Sequence, residues 1–188
     1  MKEKDGNPRL QKEKKTSHLR WVVRVFLLAI VLSAVMSFAS EAILEGTGFL
    51  AAVLVLVFFI FLGIVFDVIG VSCTSADPSA FYSMAAHRTK GAKEAIWLLK
   101  HSERVSSICN DVVGDICGIV SGSTAAVLIL LLQNHFSWNE MVLSIAVTAL
   151  ISGLTIGGKA LSKQFAIRCS KDVIFFVARI LCFFHVER

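Results

Sequence analysis

Ala51-Ala52-Val53-Leu54-Val55-Leu56-Val57-Phe58-Phe59-Ile60-Phe61-Leu62-Gly63-Ile64-Val65-Phe66 contains no polar side chain and no apolar/polar alternation. A strand of a membrane barrel would alternate, so the run is helical. Taken to its limits at Gly48 and Val71, it exceeds the roughly 20 apolar residues that a helix needs to cross a hydrocarbon layer of about 30 Å. Trp21 to Phe38, Val105 to Leu132 and Met141 to Ile156, the last completed by Gly157 and Gly158, qualify in the same way. These runs predict an all-α integral membrane protein with four transmembrane helices.

Composition agrees. The 188 residues are 55% hydrophobic and only 18% charged, with a mean hydropathy of +0.71; a soluble domain carries more charge than this. The distribution of charge predicts orientation, because basic residues stay on the cytoplasmic side. Of the 19 Lys and Arg, Arg24 sits at the N-terminal edge of the first run, and all the others fall before that run, between the second and third, or after the fourth. None lies in the loops Ala39 to Thr47 and Gln133 to Glu140. The expected location is therefore the cell membrane, multi-pass, with N- and C-termini cytoplasmic. The net charge of +5 then reads as attraction to anionic lipid, with the bilayer and no nucleic acid as partner.

The first 20 residues are basic and poor in apolar surface, predicting disorder or a position on the membrane surface. Because the first apolar run begins only after them, that helix should be retained as an anchor spanning, with its external loop, residues 21–47. Residues 74–102 predict a cytoplasmic helix-turn-helix, opened by Asp77 as N-cap with Pro78 at the first helical position. Thr89 and Ser102 have the chemistry of later caps, and Ala92, Ala95, Ile96 and Leu99 form an apolar stripe. Residues 169–188 are apolar yet broken by Arg179, which predicts an interfacial helix. Cys73, Cys109, Cys117, Cys169 and Cys182 form no CxxC pair and read as reduced thiols. The five histidines match no catalytic or metal-binding pattern.

Acidic side chains in a bilayer cost about 2.5 to 3.5 kcal/mol, so they seek partners, water or ions. Asp67 lies within the second run. Asp111 and Asp115, four residues apart, share a face of the third helix beside Asn110. Such a pair either holds a proton or shares a cation. These hard oxygen ligands favour Mg2+ or Ca2+ over zinc or copper, and Na+ is compatible as well. The alternative is that the aspartates bond hydroxyls such as Ser72 and Ser106, or reach water near the helix ends. Gly114, Gly118 and Gly122 form a smooth ridge for close helix contact, within this chain or with a second copy.

The stretch Ala85-Ala86-His87-Arg88-Thr89-Lys90-Gly91-Ala92-Lys93-Glu94-Ala95-Ile96-Trp97-Leu98-Leu99-Lys100-His101-Ser102-Glu103-Arg104 resembles the connector of the CNNM and CorB/CorC magnesium-transporter transmembrane domain. Gly158-Lys159-Ala160-Leu161-Ser162-Lys163, running on to Arg168, is similar to that family's Gly-Glu-x-x-Pro-Lys element, and Val177-Ala178-Arg179 fits its continuation. The resemblance covers roughly Gly48 to Phe184. It implies a three-helix core over residues 48–168 with cytoplasmic juxtamembrane helices, preceded by one additional N-terminal helix. It also implies a homodimer and a cation site between core helices, with Glu103, Arg104, Gly158 and Lys163 as family-motif residues. The sequence departs from the pattern at several positions. Asp67-Val68-Ile69-Gly70 stands where the family has Ser-Gly-Ser-Glu, and Val112, Val113 and Cys117 stand near its asparagines. Lys159 replaces Glu, Ser162 replaces Pro, and the sequence carries no CBS pair.

The leading reading is a homodimeric divalent-cation transporter or cation-binding membrane protein, not an enzyme. In it Asp67, Asn110, Asp111 and Asp115 hold an inorganic cation, Mg2+ or Na+, and the movement is open to coupling with an ion that the sequence does not name. A non-transporting scaffold or regulator of the same fold is the second. The third is an intramembrane aspartyl protease, since Phe66-Asp67 and Val113-Gly114-Asp115 resemble its two aspartate motifs, although Val112 stands where a glycine belongs.

Overall fold

The computed structural model describes residues 8–44, 48–133 and 140–185. All of its regular elements are helices, and four of them are long and apolar enough to cross a membrane: Leu19–Leu44, Phe49–Ser75, Ser102–Gln133 and Met141–Arg168. The chain is a multi-pass helical membrane protein.

Helix α1 (Pro8–Leu44) is longer than its apolar run at both ends. Residues 8–20, expected to be disordered or to lie on the membrane surface, are helical, which excludes the first alternative for them. Lys, Glu, Gln and Arg are good helix formers, and extending an existing helix costs far less than nucleating one. Pro8 suits a first helical position, where its missing N–H is no loss. At the other end the helix takes up much of the expected loop Ala39 to Thr47; residues 45–47, and 134–139 of the second loop, lie outside the described residues. Most of α1 faces outward through Phe26, Leu27, Val31 and Phe38, as suits a lipid-facing helix. Its inner stripe of Val25, Ala29, Leu32 and Met36 lies on the core. Near its end, buried Ser40 Oγ meets Thr124 Oγ1 at 3.3 Å.

Helix α2 (Phe49–Ser75) is the central post, packing on each of the other spans. Val55 and Phe59 bury against Val112, Val113, Ile116, Cys117 and Val120. One side over, Ala52 and Leu56 meet Ala125 and Leu128, with Val147 and Ile151 alongside. Asp77 ends the post and caps α3 (Pro78–Ala86), accepting from the Ser79 amide at 3.0 Å. Helix α4 (Ala92–Lys100) follows a turn in which Arg88 and Gly91 have φ of +53° and +89°. Thr89 and Ser102 do not cap. Gly91 and His101 stand at the N-caps of α4 and α5 (Ser102–Ser107). Gly91 fits because its φ is positive, so a side chain there would be strained, and the Arg179 backbone lies in contact range, 3.4 Å from where its Cβ would be.

The third span is α5, a π-helical turn (Ile108–Val113) and α6 (Gly114–Gln133) in sequence. The fourth, α7 (Glu140–Arg168), runs ten residues past the expected end at Gly158. Ala160, Leu161, Lys163, Gln164 and Ala166 are favourable in helices, and nothing after Gly158 breaks the pattern. Helix α8 (Ser170–His185) is shorter than the spans. Its Ile174 and Ala178 bury with Phe81, Ala95, Leu98 and Cys73 in a second core, which ties α3, α4 and α8 to the end of α2. Of the predicted α4 stripe, Ala92 and Ala95 are buried, and Leu98 is buried with them.

Candidate functional site

The third span is irregular where its polar residues cluster. In the π-helical turn the Gly114 amide donates to Cys109 O, five residues back rather than four. Such single-turn widenings occur frequently at functional sites. Here the turn carries Asn110 and Asp111 and sends them in different directions.

Asn110 faces α2. Its Oδ1 is buried and has no hydrogen-bond partner, while its Nδ2 donates to Ser106 Oγ at 3.4 Å. The amide lies across Gly70 so closely that a Cβ on that glycine would sit 2.0 Å from Oδ1. Seven residues earlier, a Cβ on Gly63 would meet Cys117 Cβ at 3.2 Å. Helices α2 and α6 are thus antiparallel neighbours along a glycine seam. Half-buried Asp67 lies between Gly63 and Gly70 on that face of α2, four residues from one and three from the other.

Asp111 and Asp115 lie elsewhere. Both are exposed and line a groove of about 590 Å³ beneath Phe26, Ala29 and Ser33 of α1. Asp111 Oδ2 accepts from Ser107 Oγ at 2.9 Å. The structure therefore brings Asp111 together with Asp115, and Asp67 onto the seam that Asn110 faces, but it does not gather all four in one pocket. Among the described residues no group of three His, Cys, Asp or Glu side chains is placed to hold a metal. Ser72, offered as an aspartate partner, donates to Ala166 O at 3.2 Å; Ser106 and Ser107 do engage the polar residues of the turn.

The glycine ridge is divided too. Gly114 is buried, whereas a Cβ on Gly118 or Gly122 would meet nothing within 4 Å. These two glycines line a groove of about 360 Å³ between α6 and α7, with Ser144, Thr148, Ser152 and Thr155 opposite. Glu103 and Arg104 are exposed on α5, and Lys163 is exposed on α7. Gly158 packs on Ile64, whose Cδ1 lies 2.5 Å from where a Cβ would be.

Sequence reasoning passed over Lys159, counted as part of a flank. Because α7 continues to Arg168, Lys159 falls inside the fourth span, and its Nζ lies 3.5 Å from the Cβ position of Gly114. The available signal was the apolar run Leu161, Phe165, Ile167 beyond it, which keeps the segment helical. Outside the spans, hydrogen bonds from the Ser79 hydroxyl and amide hold the exposed Asp77 carboxyl below its ordinary pKa of 3.8.

Comparison with protein-family models, curated proteins and solved structures finds no match.

Proposed function

We propose that this membrane protein binds and moves a divalent cation, Mg2+ before others, at the seam between α2 and the π-helical turn. The observation that carries this reading is the buried Asn110 Oδ1, an oxygen without a hydrogen-bond partner, on a seam that also presents the Asp67 carboxylate. An unpaired buried oxygen costs about 1 to 3 kcal/mol, and a carboxylate within a span is costly as well. A hard cation shared between them would offset both. The Asp111 and Asp115 pair, open to the groove beneath α1, would attract cations toward the span without completing the same coordination shell.

The basic flanks support an orientation with both termini cytoplasmic, in the cell membrane. The small-residue groove along Gly118 and Gly122 supports a homodimer in which a second copy packs close. The motif residues Glu103, Arg104, Gly158 and Lys163 link the chain to the CNNM and CorB/CorC resemblance. Na+ is compatible with the same oxygen donors.

The test is Mg2+ uptake in a magnesium-requiring strain. Loss of a partner in even the outer shell of a metal site costs about 10- to 100-fold, so Asp67→Asn and Asn110→Ala should each lower uptake at least about tenfold. Wild-type uptake in both variants would remove the seam from the pathway.

A second reading, a non-transporting scaffold of the same fold, is favoured by the absence of a three-ligand cluster among the described residues. It expects no uptake by the wild type. The protease reading gains no support, since Asp115 lines the groove beneath α1 whereas Asp67 lies on the glycine face of α2. Labelling by a transition-state aspartyl inhibitor would restore it.

A further inference from the structure

The register of the helices places a positive charge beside the seam. Gly158 meets Ile64, and Ser72 Oγ bonds Ala166 O at 3.2 Å. Each pair of positions is eight residues apart, so α2 and α7 run parallel and in step. Asp67 is then level with residue 161, and Lys159 starts only two residues away, about 3 Å along the axis. From the other side, antiparallel α6 sets Cys117 against Gly63 and Asn110 against Gly70, with Gly114 between them.

Lys159 Nζ reaches across to Gly114, and Cys109 O lies at the same 3.5 Å from the Gly114 Cβ position. Nine residues, about 14 Å of helix, separate Lys159 from the end of α7 at Arg168, more than its four-carbon stem can span. The ammonium is therefore aimed into the bundle rather than drawn out along α7. Asp67 makes no hydrogen bond or ion pair among the described residues, so the two opposite charges share a layer without touching.

We infer that Lys159 is a tethered cation of the α2–α6–α7 layer, which a divalent ion must displace in order to bind between Asp67 and Asn110. The inference rests on the cation-site reading above and assigns that site its regulation. The same oxygens attract a doubly charged ion about twice as strongly as an ammonium at equal distance, while the ammonium repels that ion. Occupancy by the metal and retention of Lys159 in the layer therefore exclude each other. The lysine sets a threshold: Mg2+ displaces it only at sufficient concentration, and Na+, with half the charge, gains less from the same oxygens and needs more.

The experiment is calorimetric titration of the full-length chain in detergent with MgCl2, comparing wild type with Lys159→Met, Lys159→Gln and Lys159→Arg. Removing one like charge from the layer should tighten Mg2+ binding about tenfold or more in the Met and Gln variants, and the Arg variant should stay within about threefold of wild type. Equal or weaker binding in the neutral variants overturns the role of Lys159 and leaves the cation site standing. No binding by any of the four proteins removes the site itself, and the role of Lys159 with it. The wild type supplies a second measurement that needs no substitution. Saturating Mg2+ should raise the labelling of Lys159 by an amine-reactive reagent, read by mass spectrometry, and unchanged labelling likewise overturns the inference.

Discussion

Replacing Gly70 with alanine tests the geometry of the seam directly. The added Cβ would lie 2.0 Å from Asn110 Oδ1, 2.7 Å from its Cγ and 3.1 Å from its Nδ2. These are its three nearest neighbours, so Asn110 alone sets the severity of the clash. In an open helix Gly→Ala gains up to about 1 kcal/mol; overpacking costs about 1 to 3 kcal/mol. Gly70→Ala should therefore destabilise the wild type by up to about 2 kcal/mol. In an Asn110→Ala background the clash is gone and the helix-propensity gain remains, so the same change should become neutral or stabilising. The coupling between the sites is then about 1 to 3 kcal/mol, within the range for residues in contact. The assay is a double-mutant cycle on unfolding in detergent. Additive effects, with Gly70→Ala equally damaging in both backgrounds, would refute the placement of Asn110 across α2.

Gly118→Ala and Gly122→Ala, whose new methyl groups meet nothing of this chain within 4 Å, should each raise the stability of the monomer by about 0.5 to 1 kcal/mol in the same assay. If the proposed homodimer packs along this groove, leucine at Gly118 should instead shift it toward monomer, measured by light scattering in detergent. Thr124 Oγ1 also bonds Val120 O at 2.9 Å, so its proton is engaged there and Ser40 is left to donate to it. Ser40→Ala should cost about 0.6 to 1.7 kcal/mol, the span found for hydrogen bonds between membrane helices, and Thr124→Ser, which keeps the hydroxyl, should cost less. The depressed pKa of Asp77 has a defined sign: its contribution is present above the ordinary value of 3.8 and is lost as pH falls through the lower folded value. Asp77→Ala should accordingly speed amide exchange in α3 at pH 7, and the difference from wild type should vanish in acid.

The spans were legible because length and apolarity alone decide whether a segment can cross a bilayer, and Asp77 followed by Pro78 announces a helix start by its chemistry. The candidate site was less legible for an identifiable reason. Asp111 and Asp115 do share a groove as their spacing implies, but gathering Asn110 with them into one site assumed uniform spacing of four residues per hydrogen bond. The turn from Ile108 to Val113 takes five, and nothing in Asn110-Asp111-Val112-Val113 signals it. Lys159 was misjudged because a basic residue after two glycines looks like a flank; only continuation of α7 makes it internal. Disorder was the wrong alternative for residues 8–20 because composition reports missing apolar surface but not the helix that a neighbouring span can extend.

The junction between α7 and α8 has a mechanical consequence. A single residue, Cys169, separates them, and the hydrogen-bonded backbone runs through it: its amide bonds Phe165 O at 2.9 Å and its carbonyl accepts from Val173 at 3.0 Å. The joint is a stiff elbow rather than a slack tether. Helix α8 in turn clamps α4 where Gly91 meets Arg179, so tilting α7 levers the whole α3–α4 layer, and anything grasping that layer can pull back on the helix that bears Lys159.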